Sequence, residues 1–155
     1  MNRKLLSSVG EFVCGLVAYF FLSIPLHEVF HLITLQAFGG EGYIELTWLS
    51  GKCVITKLPV QGLFIIYLMG GVGCGATWLL LAFWSYLNGK WENYAALVIN
   101  GLPQVLYGVT EALCVFQLAP TQYVFWSSVL WLVGLAVACL ITLPKLVSYW
   151  KNILL

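Results

Sequence analysis

Phe20-Phe21-Leu22-Ser23-Ile24-Pro25-Leu26-His27-Glu28-Val29-Phe30-His31-Leu32-Ile33 decides how this 155-residue chain is read. His27 and His31 are its only two histidines, four residues apart, with Glu28 directly after the first. On a helix that spacing puts both imidazoles on one face, where they can share a metal ion. Glu28 then sits where a carboxylate can take a proton from a water on that ion. The surrounding run, Phe12 to Phe38, is almost entirely apolar. Two imidazoles and a carboxylate are expensive to place in such a segment, which marks them as functional.

Working outward, composition fixes the setting. Hydrophobic residues make up 61% of the chain and charged residues 8%, far from an ordinary soluble domain. The length suits about four membrane spans of roughly 20 residues each with short loops, and leaves no segment for a sizeable soluble domain. The expected fold is therefore an all-α membrane protein, one integral domain over 1–155. A net charge of +1 gives no reason to invoke nucleic acid. The five cysteines (Cys14, Cys53, Cys74, Cys114, Cys139) are scattered, odd in number and without a CxxC, so neither a disulfide framework nor a cysteine metal site is expected. Met1-Asn2-Arg3-Lys4 resembles the start of a signal peptide. The apolar run after it is too long and has no small-residue cleavage site, so it reads as a retained helix.

Four hydrophobic blocks follow: about Glu11 to Phe38, Val60 to Leu87, Tyr94 to Phe116 and Tyr123 to Tyr149. Pro25 lies just before the histidines, where a missing backbone hydrogen bond kinks a helix and opens room. Between the first two blocks, Tyr43–Leu49 and Cys53–Lys57 are β-prone runs around Ser50-Gly51-Lys52, a hairpin pattern.

A catalytic zinc usually has three protein ligands and one open position. The chain has no aspartate, and of its six glutamates Glu41, Glu45 and Glu92 fall in loops or the hairpin and Glu11 at a helix entrance. With Glu28 placed as base, Glu111 in the third block is left as the third ligand. His27 and His31 lie roughly 5 to 10 Å past the centre of their block, and Glu111 roughly 9 Å past the centre of its own. In an up-down bundle the first and third spans run the same way, so all three reach one depth. Asn100, Gln104, Gly108 and Glu111 also form one polar stripe at helical spacing, which should face inward.

HExxH near the end of a first core span, Gly39 eight residues later and a following hairpin resemble the site-2 protease family of intramembrane zinc metalloproteases. So do the glycine-rich patch Gly70-Gly71-Val72-Gly73-Cys74-Gly75-Ala76 and Asn100-Gly101-Leu102-Pro103, similar to that family's Asn-x-x-Pro. The likeness covers residues 11–116 and leaves 117–155 as an accessory fourth helix. It implies Zn2+ as cofactor, hydrolysis of peptide bonds in a transmembrane protein substrate within the lipid bilayer, and a role for Asn100 in holding substrate backbone or the developing oxyanion. One departure stands out: the family's metal-binding aspartate position is Gly108 here, one helical turn before Glu111.

Two other classes stay open on sequence: a catalytically silent membrane scaffold, and a small transporter using His27, Glu28 and His31 as a proton or metal relay. Glu111 and the Asn100 stripe also fit a role as interhelical hydrogen-bonding groups, and Gly71 and Gly75 fit close helix packing. Arg3, Lys4, Lys90, Lys145 and Lys151 group on one side of the membrane, which the positive-inside tendency makes cytoplasmic. The family resemblance implies the opposite orientation.

Overall fold

The computed structural model describes residues 3–113 and 120–154. It contains α1 (Arg3–Ala37), a hairpin of β1 (Glu41–Leu46) and β2 (Gly51–Lys57), then α2 (Leu63–Leu87), α3 (Trp91–Leu113) and α4 (Pro120–Leu154). The expected blocks are thus present, with shifted limits. α1 begins eight residues before the first block, because the stretch from Arg3 to Leu6 is made of good helix formers whose two cations a hydropathy pattern excludes. α2 starts only after Gly62, whose positive φ of 91° ends the preceding loop. Cys114 and Phe116, the expected end of the third block, lie outside the described residues.

Three helices, α1, α2 and the 125–154 part of α4, are long and apolar enough to cross a membrane. Their outer faces carry exposed Val13, Val17, Phe20, Leu80, Phe83, Leu132 and Leu140, a surface suited to lipid and costly in water. Over its described residues α3, which carries Asn100, Gln104 and Glu111, falls short of that hydropathy, but it packs against all three other helices. Its buried residues run nearly all round, from Ala95 and Leu97 to Gly108 and Ala112.

Small residues allow that packing. A Cβ on Gly71 would lie 2.3 Å from the Gly108 nitrogen, and one on Gly75 would lie 2.6 Å from the Gly101 carbonyl oxygen. The α2 and α3 backbones therefore touch along two successive turns. The core beside them is built from Cys74, Trp78, Ala82, Leu97, Val98 and Ala138. α1 is tied to α2 through Ser23, whose hydroxyl accepts the Trp78 indole N–H at 2.7 Å.

The hairpin is antiparallel, pairing Glu45 with Lys52 and Ile44 with Cys53, with a one-residue irregularity at Glu41/Gly42. It folds back along α1. Its base packs on Leu35 through Gly40 and Gly42, and its tip reaches Ile24 and Glu28 through Gly51. That is eleven residues of α1, about 16 Å of helix. Bare glycine edges make this close approach possible and lay β2 over the histidine face.

Candidate metal centre

His27 and His31 are both buried on the inner face of α1, as the i, i+4 spacing requires. Each ring is held through Nδ1. His31 Nδ1 stands 2.7 Å from the Ile66 carbonyl oxygen at the start of α2. His27 Nδ1 stands 3.3 Å from Gln104 Oε1 on α3. Both partners are oxygen acceptors when the amide is oriented this way, so in each neutral ring Nδ1 carries the proton and Nε2 keeps its lone pair. This is the arrangement that orients a metal-ligating histidine.

The two Nε2 atoms lie 3.0 Å apart. Glu111 Oε2 sits 2.9 Å from His27 Nε2 and 3.5 Å from His31 Nε2. Three acceptor atoms thus face one another, and Oε2 is buried with no hydrogen-bond partner among the described residues. A positive charge stabilises such a triangle, whether a proton on one imidazole or a bound metal ion. Its size fits one: ligands about 2.0–2.1 Å from a tetrahedral ion stand about 3.3 Å from each other. His27, His31 and Glu111 can therefore hold a metal ion.

The glycines explain why the carboxylate is at 111. A Cβ on Gly108 would lie 2.7 Å from the Leu68 carbonyl oxygen and 2.8 Å from the Val72 nitrogen. Position 108 is the crossing point of α2 and α3, with no room for an aspartate. Glu111, one turn on, clears the crossing and reaches the histidines with its longer arm. Gly70 is equally constrained: a Cβ there would lie 2.1 Å from His31 Nε2. The patch at 70–76 thus divides its work, Gly70 and Gly73 facing the α1 side chains His31 and Phe30, Gly71 and Gly75 facing α3.

The cluster opens into a cavity of about 510 Å³ between the hairpin and all four helices. Glu28 lines it beside the histidines, and so do Gly51, Cys53 and Ile55 of β2 and Trp131 of α4. Glu28 is buried on the hairpin side, where a Cβ on Gly51 would come within 2.7 Å of its Cγ. On the other side of the cluster, the Tyr107 ring packs on His27 with centroids 5.6 Å apart.

Of the residues singled out by sequence, His27, Glu28, His31 and Glu111 meet at this cavity, and Asn100 does not line it. The Asn100 amide donates to the Ala96 carbonyl at 2.9 Å and to the Leu16 carbonyl at 3.4 Å. It bridges α3 to α1 three helical turns from Glu111, about 16 Å along the axis. Its place in the structure is that of an interhelical hydrogen-bonding group. Gln104, noted only as part of the stripe, orients His27. Gly70, noted only as part of the glycine-rich patch, and the Ile66 carbonyl, not singled out at all, shape the seat of His31. A backbone acceptor leaves no trace in residue type. Comparison with known protein families, curated proteins and solved structures finds no match to this chain.

Proposed function

We propose that this chain is an intramembrane zinc metalloprotease, with α3 as the fourth span and His27, His31 and Glu111 as the zinc ligands. The observation that carries this reading is the Nε2–Nε2–Oε2 triangle with Glu28 beside it, facing one cavity. Two imidazoles and one carboxylate are the nitrogen and oxygen donors zinc accepts, and three ligands leave its fourth position open. When bound, zinc supplies a Lewis acid that polarises the scissile carbonyl and makes water acidic near neutral pH.

The chain's own groups do the rest. Ile66 and Gln104 hold the two imidazoles in the tautomer that points Nε2 inward. Glu28 accepts the proton of the attacking water and passes it to the leaving amine, a transfer worth about 10²–10⁴ in rate. A transmembrane substrate must first expose its scissile amide, because a helix buries it in its own hydrogen bonds. β2 is the second of only two strands and has one edge without a strand partner among the described residues. An unwound substrate segment added to that edge would lie extended beside Glu28. Gly51, Cys53 and Ile55 then form the cavity wall that its side chains meet.

A second reading, a catalytically silent membrane scaffold, draws on one observation: the amide that the family resemblance ties to substrate is engaged with Leu16 and Ala96. One experiment separates the two. The zinc-loaded protein in lipid nanodiscs is incubated with a panel of single-span peptides, alongside Glu28→Gln. Cleavage that disappears in the variant supports the protease; equal product from both, or none from either, supports the scaffold.

A further inference from the structure

The end of the bundle away from the metal cluster carries a second feature. Ser8 donates to Glu92, and the Trp150 indole donates to Ser8 at 2.8 Å. These bonds bring together the start of α1, the start of α3 and the end of α4. Ser8 is nineteen residues before His27, about 28 Å along α1.

Five of the seven cations stand at this end: Arg3 and Lys4 at the start of α1, Lys90 just before α3, and Lys145 and Lys151 toward the end of α4. Two carboxylates accompany them: Glu11, which accepts from Ser7, and Glu92, which is buried. At the other end, Lys52 and Lys57 are matched by Glu45 and Glu41 at 2.9 and 2.8 Å. The charge asymmetry is therefore +3 against zero for the groups outside the metal cluster. Trp91, Tyr86, Tyr94, Tyr149 and Trp150 surround the cationic end, as aromatic residues do at a headgroup boundary.

Between α3 and α4 this end opens into a cleft of about 410 Å³, lined by Trp91, Pro144, Lys145, Ser148, Tyr149 and Asn152. Its lining contains no carboxylate. Lys145, Ser148 and Asn152 fall on one face of α4, offering an ammonium, a hydroxyl and an amide as donors. The Lys145 ammonium is steadied 5.9 and 6.0 Å from the Tyr86 and Tyr94 ring centres. Cation, neutral donors and an aromatic rim match a phosphodiester with acyl chains running down the apolar helix faces.

We infer that this cleft binds the headgroup of an anionic glycerophospholipid. The cationic end then rests in the anionic cytoplasmic leaflet, and the His27–His31–Glu111 cavity lies toward the opposite side of the membrane.

The test is native mass spectrometry of the detergent-purified chain, with phosphatidylglycerol and phosphatidylcholine added in equal amounts. The wild type is expected to retain phosphatidylglycerol preferentially. Lys145→Gln should lower that retention about fivefold, the effect of one cation near an anionic surface. Lys57→Gln, which removes a cation at the other end, should leave it unchanged. Equal retention of the two lipids by the wild type, undiminished retention by Lys145→Gln, or displacement of the lipid by equimolar glycerol phosphate would overturn the inference.

Discussion

Replacing Gly70 with alanine is the most searching perturbation of this site, because it replaces no candidate ligand and yet sets a methyl group against one. The new Cβ would stand 2.1 Å from His31 Nε2, 2.4 Å from Cε1 and 2.6 Å from Cδ2. Reaching an ordinary contact of about 3.4 Å requires the ring to retreat by more than about 1 Å, since the Gly70 backbone is pinned by its helix. Metal–ligand distances tolerate about 0.2 Å, so His31 is lost as a ligand or held through a broken bond to Ile66. Disturbing only an orienting partner costs about 10–100-fold in metal affinity, and Gly70→Ala should cost at least that. The assay is zinc competition against a chromophoric chelator in detergent, with helix content followed by circular dichroism. Gly10→Ala, at a position with nothing within 4 Å, is the control and should bind zinc like the wild type. His31→Ala with Gly70→Ala should recover the thermal stability lost in Gly70→Ala alone, while zinc binding stays lost. Wild-type zinc affinity in Gly70→Ala would refute the contact geometry on which the whole site rests.

Other consequences follow from the same geometry. Glu28→Gln should keep its zinc and lose peptide hydrolysis by about 10²–10⁴-fold, measured as single-turnover cleavage; loss of zinc would show Glu28 to be a ligand. Gln104→Leu removes the acceptor of His27 Nδ1 and should weaken zinc binding about 10–100-fold without unfolding α3; unchanged affinity would remove Gln104 from the metal centre. In the hairpin, Lys52 holds the Glu45 carboxyl below its ordinary range, and the two lysines are raised by Glu45 and Glu41. The carboxylate contribution is present above the unfolded Glu value and lost as pH falls through the folded one. The lysine contributions are present below the unfolded Lys value and lost as pH rises through the folded one. Between about pH 5 and 10 these pairs should therefore be constant. Being solvent-exposed, they should also matter little: Lys52→Gln should leave the melting temperature unchanged across that window, and a pH-dependent difference would contradict the exposed geometry.

Much of the site was legible because burying polar groups in apolar helices is costly. The i, i+4 histidines, the absence of aspartate and the inward stripe on α3 were enough to place Glu111 with His27 and His31, and the depths of the two helices agreed. The hairpin was legible from its β-prone runs, but its turn was misplaced: Gly51 and Lys52, expected in the turn, pair with Leu46 and Glu45 inside β2, and the chain reverses over 47–50. The hairpin's path back along α1 was not legible, because that depends on Gly40, Gly42 and Gly51 meeting Leu35 and Glu28, pairings that no local pattern records. The same holds for Gly108, which stands out only as a missing aspartate until α2 is seen crossing there. Asn100 was placed with the reacting groups by its motif, whereas its amide is taken up by the Leu16 and Ala96 carbonyls. Backbone acceptors have no residue identity, so the structural roles of Asn100 and Ile66 lie beyond what residue type can indicate. Among the described residues three helices are long and apolar enough to cross a membrane where four blocks were expected, and Asn100, Gln104 and Glu111 lower the hydropathy of the described part of α3.

The most direct measurement is elemental analysis of the detergent-purified protein for zinc, comparing wild type, His31→Ala and Glu111→Ala. About one zinc per chain in the wild type, lost from both variants, is the predicted result. No zinc in the wild type after reconstitution, or full retention in Glu111→Ala, would contradict a three-ligand centre built from α1 and α3.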